Sequence, residues 1–243
     1  MVDLECAPGL SVGGMTVTLI TGGGSGIGAA TARKLLDGGH RVTVTGRGKQ
    51  RLDQFAAELG TPDLLTLVGD AADWDAVSAA VETAVERFGQ LDAVVANAGF
   101  ATFDTIADGD PEAWRDMVLT NVLGPALLIR AALPALKRTR GRIVLIGSVA
   151  GVVYSPGNIY GATKWAVTGL AENTRRMVTD DGVGVTLVNP GATETNFFDA
   201  DGGPPDRAMM TADHIADAIV WAISQPTGVD VNTLTVRPIP SPL

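Results

Sequence analysis

From Thr16 onward, short runs rich in apolar and β-branched residues alternate with longer segments of helical periodicity, and few architectures accommodate that alternation. The β-rich runs are Val17 to Thr21, Val42 to Gly46, Leu64 to Gly69, Leu91 to Ala96, Arg142 to Ile146, Gly184 to Val188 and Thr233 to Arg237. Each is continuously apolar rather than alternating, which suits strands covered on both faces. The segments between them supply the cover. In the clearest, Trp74, Val77, Val81, Val85 and Phe88 recur at three- and four-residue spacing and form one apolar stripe. Asp110-Pro111 reads as an N-cap followed by proline at the first helical position. The pattern predicts βαβ units around a doubly wound parallel sheet of class α/β. A sheet of this kind can use most of the 243 residues as one unit. No stretch resembles an interdomain linker. Residues 16–243 are therefore read as one domain, and residues 1–15 as an extension, with Met15 at the start of the fold.

Composition narrows the function classes. Hydrophobic residues make up 46% and charged residues 19%, enough for a large core and unlike a disordered chain. The formal net charge of -9 repels phosphate backbones and anionic membrane surfaces, which argues against nucleic acid as a partner. A nucleotide would have to be held by local donors. Cys6 is the only cysteine and the histidines are His40 and His214, too few for a Cys/His zinc site. No metal site is expected. Ile143 to Thr163 carries no formal charge, but Gly147, Gly151, Pro156, Gly157, Asn158 and Gly161 would leave backbone groups unsatisfied in lipid. Asp3 and Glu5 stand where an export signal wants positive charge. The expectation is a cytoplasmic protein.

Directly after the first β-rich run comes Thr21-Gly22-Gly23-Gly24-Ser25-Gly26-Ile27-Gly28, opening a helix that runs through Ala32 and Leu35. Glycines let the backbone turn tightly and approach a pyrophosphate, whose charge then rests on amides at the helix N-terminus. Strand before and helix after make this a dinucleotide site rather than a flexible turn. An NAD-binding unit places an acidic residue about 20 positions on, to hold the ribose 2′-hydroxyl. Here Gly46 stands in that place, followed by Arg47. No carboxylate repels a 2′-phosphate, and Arg47 offers a planar fork for it, with Lys49 and Arg51 as alternatives. The cofactor expected is NADP(H) rather than NAD(H).

Tyr160-Gly161-Ala162-Thr163-Lys164 carries the chemistry. A phenol titrates near ~10, so only about a thousandth of such groups are ionised at neutral pH. A helix over residues 158–180 puts positions 160 and 164 on one face, one turn apart. The Lys164 ammonium beside the phenol would then lower the Tyr160 pKa. A shift of about three units corresponds to roughly 4 kcal/mol of differential interaction.

These motifs in this order resemble the short-chain dehydrogenase/reductase family, from about Thr16 to the C-terminus. The resemblance rests on Thr21 to Gly28, Ala96-Asn97-Ala98-Gly99, Asn121, Ser148, Tyr160-x-x-x-Lys164 and Pro190-Gly191. The glycine spacing is similar to that of the family's shorter members. Ala96 departs from the family's Asn-Asn-Ala-Gly while Asn97 is kept. The resemblance implies a Rossmann-type sheet of about seven strands in the order 3-2-1-4-5-6-7. It also implies residue roles. Tyr160 exchanges a proton with the substrate oxygen, Lys164 holds the nicotinamide ribose and depresses the Tyr160 pKa, Ser148 bonds the developing alkoxide, and Asn121 helps anchor a water linking Lys164 to solvent. Cofactor contacts implied are Gly22, Gly24, Ser25, Gly26, Ile27 and Gly28 at the phosphates. They continue with Asp70 and Ala71 at the adenine side, Asn97, Ala98 and Gly99 near the ribose, and Pro190, Gly191, Thr193 and Thr195 toward the carboxamide. A homotetramer or homodimer is implied as well.

The substrate side is read from loops. Residues 194–210 contain Phe197, Phe198, Gly202, Gly203, Pro204, Pro205, Met209 and Met210, a composition suited to an apolar lid on glycine hinges. Val149, Val153, Tyr154 and Phe100 would line an apolar pocket, favouring a small, partly hydrophobic carbonyl or alcohol. The run Thr211 to Arg237 resembles, more loosely, the NADP-dependent 3-hydroxy acid and serine dehydrogenases of the family, with Arg207 as the one lid arginine for a carboxylate. Two rivals stand beside an NADP-dependent carbonyl/alcohol oxidoreductase. One is a catalytically silent NADP-binding regulator on the same fold, which would be expected to lose Tyr160 or Lys164. The other is an NAD-preferring alcohol or 3-hydroxy acid dehydrogenase.

Overall fold

The computed structural model describes residues 15–201, 203 and 206–241. Most of the N-terminal extension, Cys6, Gly202, Pro204, Pro205 and residues 242–243 lie outside the described residues. The chain runs β1 (Val17–Thr21), α1 (Gly26–Asp37), β2 (Arg41–Gly46), α2 (Lys49–Leu59), β3 (Leu64–Val68), α3 (Trp74–Phe88), β4 (Ala93–Ala96) and α4 (Pro111–Val118). It continues with α5 (Gly124–Thr139), β5 (Arg142–Ile146), α6 (Ile159–Val178), β6 (Gly184–Pro190), β7 (Thr193–Glu194), β8 (Met210–Thr211), α7 (Ala212–Ile223) and β9 (Thr233–Val236). Seven parallel strands form one sheet in the order β3-β2-β1-β4-β5-β6-β9, the doubly wound order expected. The order reverses between β1 and β4, and a crevice opens beyond the carboxyl ends of the strands at that point.

Two apolar layers hold the sheet. On one face Val77, Leu128, Leu136 and Val167 from α3, α5 and α6 pack on Leu19, Val94 and Ile143. On the other, Leu35, Phe55 and Ile219 from α1, α2 and α7 pack on Ile20, Val44 and Val95. Adjacent strand residues thus feed opposite layers, which is why central strands read as continuous apolar runs. Truncating Leu19 or Leu128, both buried, to alanine would cost about 2–5 kcal/mol.

The edges depart from the expectation of strands covered on both faces. Val68 at the end of β3 is 58% exposed, and β9 alternates between exposed and half-buried. An edge strand has one neighbour, and the helices do not reach over its outer side. Several boundaries also shift: β3 stops before Gly69, β4 begins at Ala93 rather than Leu91, β6 extends through Pro190, and β9 ends before Arg237. In the predicted α3 stripe Val77, Val81 and Phe88 are buried, whereas Trp74 is at the surface with the Arg130 guanidinium 4.6 Å over its ring. The Asp110 cap forms as expected, its carboxylate accepting from the Glu112 amide at 3.1 Å ahead of Pro111. Both histidines serve local structure: His40 bonds Thr16, and His214 completes the capping box of α7 with Thr211.

Between α4 and α5, residues Leu119–Leu123 form a π-helical turn. Pro125 has no N–H to offer the carbonyl of Asn121, four residues back, so the regular α pattern cannot pass through this point. Asn121 is thereby set into the crevice wall, 1% exposed.

Candidate active site

The glycine loop is braced by hydrogen bonds from β4. The Thr21 hydroxyl accepts from the amides of Asn97 at 3.2 Å and Ala98 at 3.1 Å, while the Asn97 side-chain amide donates to the carbonyls of Thr21 at 2.9 Å and Gly22 at 3.1 Å. Gly22 and Gly26 take φ of 65° and 52°, which side-chain-bearing residues rarely adopt. At Gly28 a Cβ would come within 2.6 Å of the Gly22 carbonyl oxygen and of the Asn97 side chain. Ser25 starts α1 without a side-chain cap bond, leaving the first amides of the helix open toward the crevice. This is a cradle that only backbone can form, and it fits an anionic diphosphate. The Asn97 side-chain nitrogen is spent on the loop itself.

Along the same cleft, Gly46 ends β2 and Arg47 follows, exposed. Lys49 is paired with Asp53 at 2.6 Å, but among the described residues Arg47 and Arg51 have no ion-pair partner. Asp70 holds the Ala72 amide at 2.9 Å beside Ala71, forming the outer wall. The opposite wall follows β6: the Gly191 amide bonds the Val236 carbonyl at 2.7 Å, Thr193 bonds back to Gly191, and Thr195 packs within reach of Gly26. The cleft has a volume of about 1340 Å³ and also reaches Ser148, Tyr160 and Lys164. Gly28 and Asn121 stand just behind its surface; the other candidate site residues line it.

The chemistry-bearing side chains meet at the centre. Asn158 caps α6, its carbonyl oxygen accepting from the Gly161 amide at 2.7 Å, and this aims the first turn at the cleft. The Ser148 hydroxyl accepts from the Ala150 amide at 3.1 Å and lines the same cleft as the Tyr160 phenol. Lys164 is 5% exposed, its ammonium donating to the Ile146 carbonyl at 2.9 Å and lying 5.7 Å from the centre of the Tyr160 ring. Asn121 ties two elements together: its amide donates to the Phe100 carbonyl at 2.8 Å and the Thr163 hydroxyl at 3.1 Å, and its oxygen accepts from the Phe100 amide.

The electrostatics differ from expectation. Burial pushes the Tyr160 phenol up to about 12, opposed by the nearby Ser148 hydroxyl. Burial also brings Lys164 down to about 8. The direction at Tyr160 is opposite to the expected lowering by Lys164, because desolvation disfavours the phenolate. The phenol stays protonated at neutral pH, the state needed to donate a proton.

Residues 16–202 match the short chain dehydrogenase family. The chain belongs to this family. It is 34% identical over 226 residues to an uncharacterized oxidoreductase of Staphylococcus epidermidis, covering 92% of this chain and 97% of that one. Among solved structures it is similar to an alcohol dehydrogenase from the archaeon Thermococcus sibiricus complexed with 5-hydroxy-NADP. The TM-score is 0.86 at 30% identity, covering 93% of this chain and 97% of that one. It is also similar to a closed form of serine dehydrogenase complexed with NADP+, with a TM-score of 0.85 at 30% identity, covering 91% and 94%. Short-chain dehydrogenases are oxidoreductases that use nicotinamide cofactors, and the cleft is laid out accordingly.

Two residues at this family member's site, Asn189 and Phe103, escaped the sequence reading, and a third, Thr21, is legible there only as the first residue of the glycine motif. Thr21 joins the glycine loop to β4 through its hydroxyl. Asn189, fully buried at the end of β6, accepts from the Ser148 amide at 3.1 Å and so positions the serine. Phe103 comes from the loop after β4 and meets Phe197 and Phe198 across the cleft. Asn189 precedes Pro190-Gly191 and looks like a strand residue. Phe103 has no periodic neighbour to mark it.

Proposed function

We propose that the protein is an NADP-dependent oxidoreductase that interconverts a carbonyl compound and its alcohol, with Tyr160 as general acid/base. The observation that carries this reading is that Ser148, Tyr160 and buried Lys164 line one cleft together with an open helix N-terminus. When bound, the nicotinamide supplies or takes the hydride. In reduction the substrate carbon gains that hydride, its oxygen gains the phenolic proton of Tyr160, and the C=O π bond is lost. Ser148 bonds the oxygen as negative charge develops on it. Lys164 holds the ribose and, once a cationic nicotinamide lies nearby, joins it in favouring the phenolate needed for the reverse reaction. Asn121 fixes the Phe100 turn against α6. Its carbonyl, which Pro125 cannot bond, is an acceptor for a water returning protons to Lys164.

NADP is preferred because Arg47 and Arg51 face the cleft without acidic partners among the described residues, and Gly46 carries no carboxylate to repel a 2′-phosphate. The similar alcohol and serine dehydrogenases are complexed with 5-hydroxy-NADP and NADP+, which supports this choice. Residues 194–210 act as the substrate lid, with Phe197 already 5.6 Å from the Tyr160 ring.

A panel of aldehydes, ketones, alcohols and 3-hydroxy acids, followed at 340 nm with each cofactor, tests the reading. Tyr160→Phe should lower kcat by about 10³-fold or more while the NADPH dissociation constant stays within a few-fold. Activity near wild type in that variant would remove Tyr160 from the mechanism.

A further inference from the structure

We propose that Phe103, Phe197 and Phe198 form a subsite for a flat apolar substituent. On this view the substrate is an aryl-bearing ketone or aldehyde, or the matching alcohol, rather than a small polar hydroxy acid. The inference rests on the carbonyl/alcohol reading above and deepens it.

The three rings come from two separate parts of the chain. Phe103 lies on the loop between β4 and α4, and Phe197 and Phe198 lie on the short helical turn after β7. Phe103 stacks on Phe198 at 5.5 Å with planes 22° apart, and meets Phe197 edge-on at 5.8 Å. Phe197 is edge-on to Phe198 at 5.4 Å and tilted 60° against Tyr160 at 5.6 Å. A ring chain thus runs from the proton-donating phenol to the cleft mouth, where Phe103 is 38% exposed. Partly exposed aromatic rings lining a cleft lose water to a flat ligand, and offset or edge-on stacking sets its orientation.

The polar groups nearby are already occupied. Asp104 accepts from the Trp114 indole at 3.1 Å, Asn158 spends its oxygen on the Gly161 amide and its nitrogen on the Asp104 carbonyl, and Thr105 bonds Asp108. Against the three rings, a substrate's hydroxyl or amino groups would lose water to apolar surface, which an apolar ring does not. Arg207, exposed on the lid and lining the same cleft, is the group that a carboxylate substrate would need instead. The parallel pairing of β7 with β8 ties together the two ends of the lid, so the Phe197–Phe198 turn is carried on a closed loop.

The test compares phenyl-bearing carbonyls with methyl counterparts of equal reactivity, and both with serine and 3-hydroxy acids. Wild-type and Phe103→Ala, Phe197→Ala and Arg207→Ala variants are used. The expected kcat/KM is about 100-fold higher for the phenyl compound, the scale on which an apolar pocket discriminates. Phe103→Ala should remove most of that preference and leave the methyl substrate within a few-fold, and Phe197→Ala should lower kcat/KM for the phenyl compound at least about 10-fold more than for the methyl one. Equal rates on both, or turnover of acids that depends on Arg207 and not on the phenylalanines, overturns the subsite. Calorimetric binding of the phenyl ketone to the NADP-loaded protein separates this from the broader reading. Binding lost in Phe197→Ala without turnover of any substrate supports the subsite while removing the dehydrogenase reading. Turnover of small carbonyls with no phenyl binding does the reverse.

Discussion

The two halves of the cleft are built on different principles. The cofactor half is made of backbone: glycines at φ values that side chains avoid, a helix N-terminus, and carbonyls and amides held by Thr21 and Asn97. The substrate half is made of side chains, four aromatic rings in mutual contact on loops and on the start of α6. Backbone geometry cannot change without refolding the strand–turn–helix unit, so the first half is committed to one ligand chemistry. Ring contacts can be replaced one at a time, so the second half is where this chain sets its own specificity.

The strongest way to break that comparison is one alanine substitution in each half. Gly28→Ala forces a Cβ within 2.6 Å of the Gly22 oxygen, and overpacking of this kind costs about 1–3 kcal/mol. Melting temperature should fall by several degrees, at about 2–4 °C per kcal/mol for a chain of this size, and NADPH binding should be largely lost. Phe198→Ala should lower the melting temperature less, since ring pairs contribute about 0.5–1.5 kcal/mol and this ring is partly exposed. Equal losses at the two sites would contradict the division.

Next in size is Arg47→Asp. Replacing a charge-assisted contact with a repulsive carboxylate should raise KM for NADPH about 100-fold and leave KM for NADH within a few-fold. A wild-type preference for NADH would show that the outer wall is not the 2′-phosphate site.

The smallest effect sharpens where the halves meet. In a Tyr154→Phe background Tyr160 is the remaining tyrosine, so phenolate absorbance reports it alone. The free protein should titrate near 12, and NADP+ should lower the midpoint. Because burial raises this pKa, the folded state holds the proton more tightly than the unfolded chain, and stability should decline as pH rises from about 10 to 12. Lys164 has the opposite sign. Its folded pKa near 8 lies below the unfolded value, so its burial penalty is relieved as pH rises from about 8 toward 10.5. An unchanged Tyr160 midpoint with NADP+ would detach the phenol from the cofactor half.

How much was legible in the sequence follows from what each feature depends on. The strand at Val17–Thr21, the glycine loop and the Asp110-Pro111 cap are local: a few adjacent residues fix their dihedrals, and the spacing says so. The pairing of Tyr160 with Lys164 follows from helical period alone. Asn189 under Ser148 was not legible, because the contact joins β5 and β6 across the sheet. Phe103 beside Phe198 joins loops some ninety residues apart and leaves no periodic trace.

The sequence by itself determined the doubly wound sheet, the glycine turn and the placing of Tyr160 and Lys164 on one helix face, since these rest on short-range periodicity and on glycine's freedom at positive φ. The tertiary structure alone decided how deeply those two side chains are buried and which rings meet beside them. A pKa is set by how much solvent the surrounding chain removes, and a subsite by which distant rings the topology brings together. Neither quantity exists until the chain has folded.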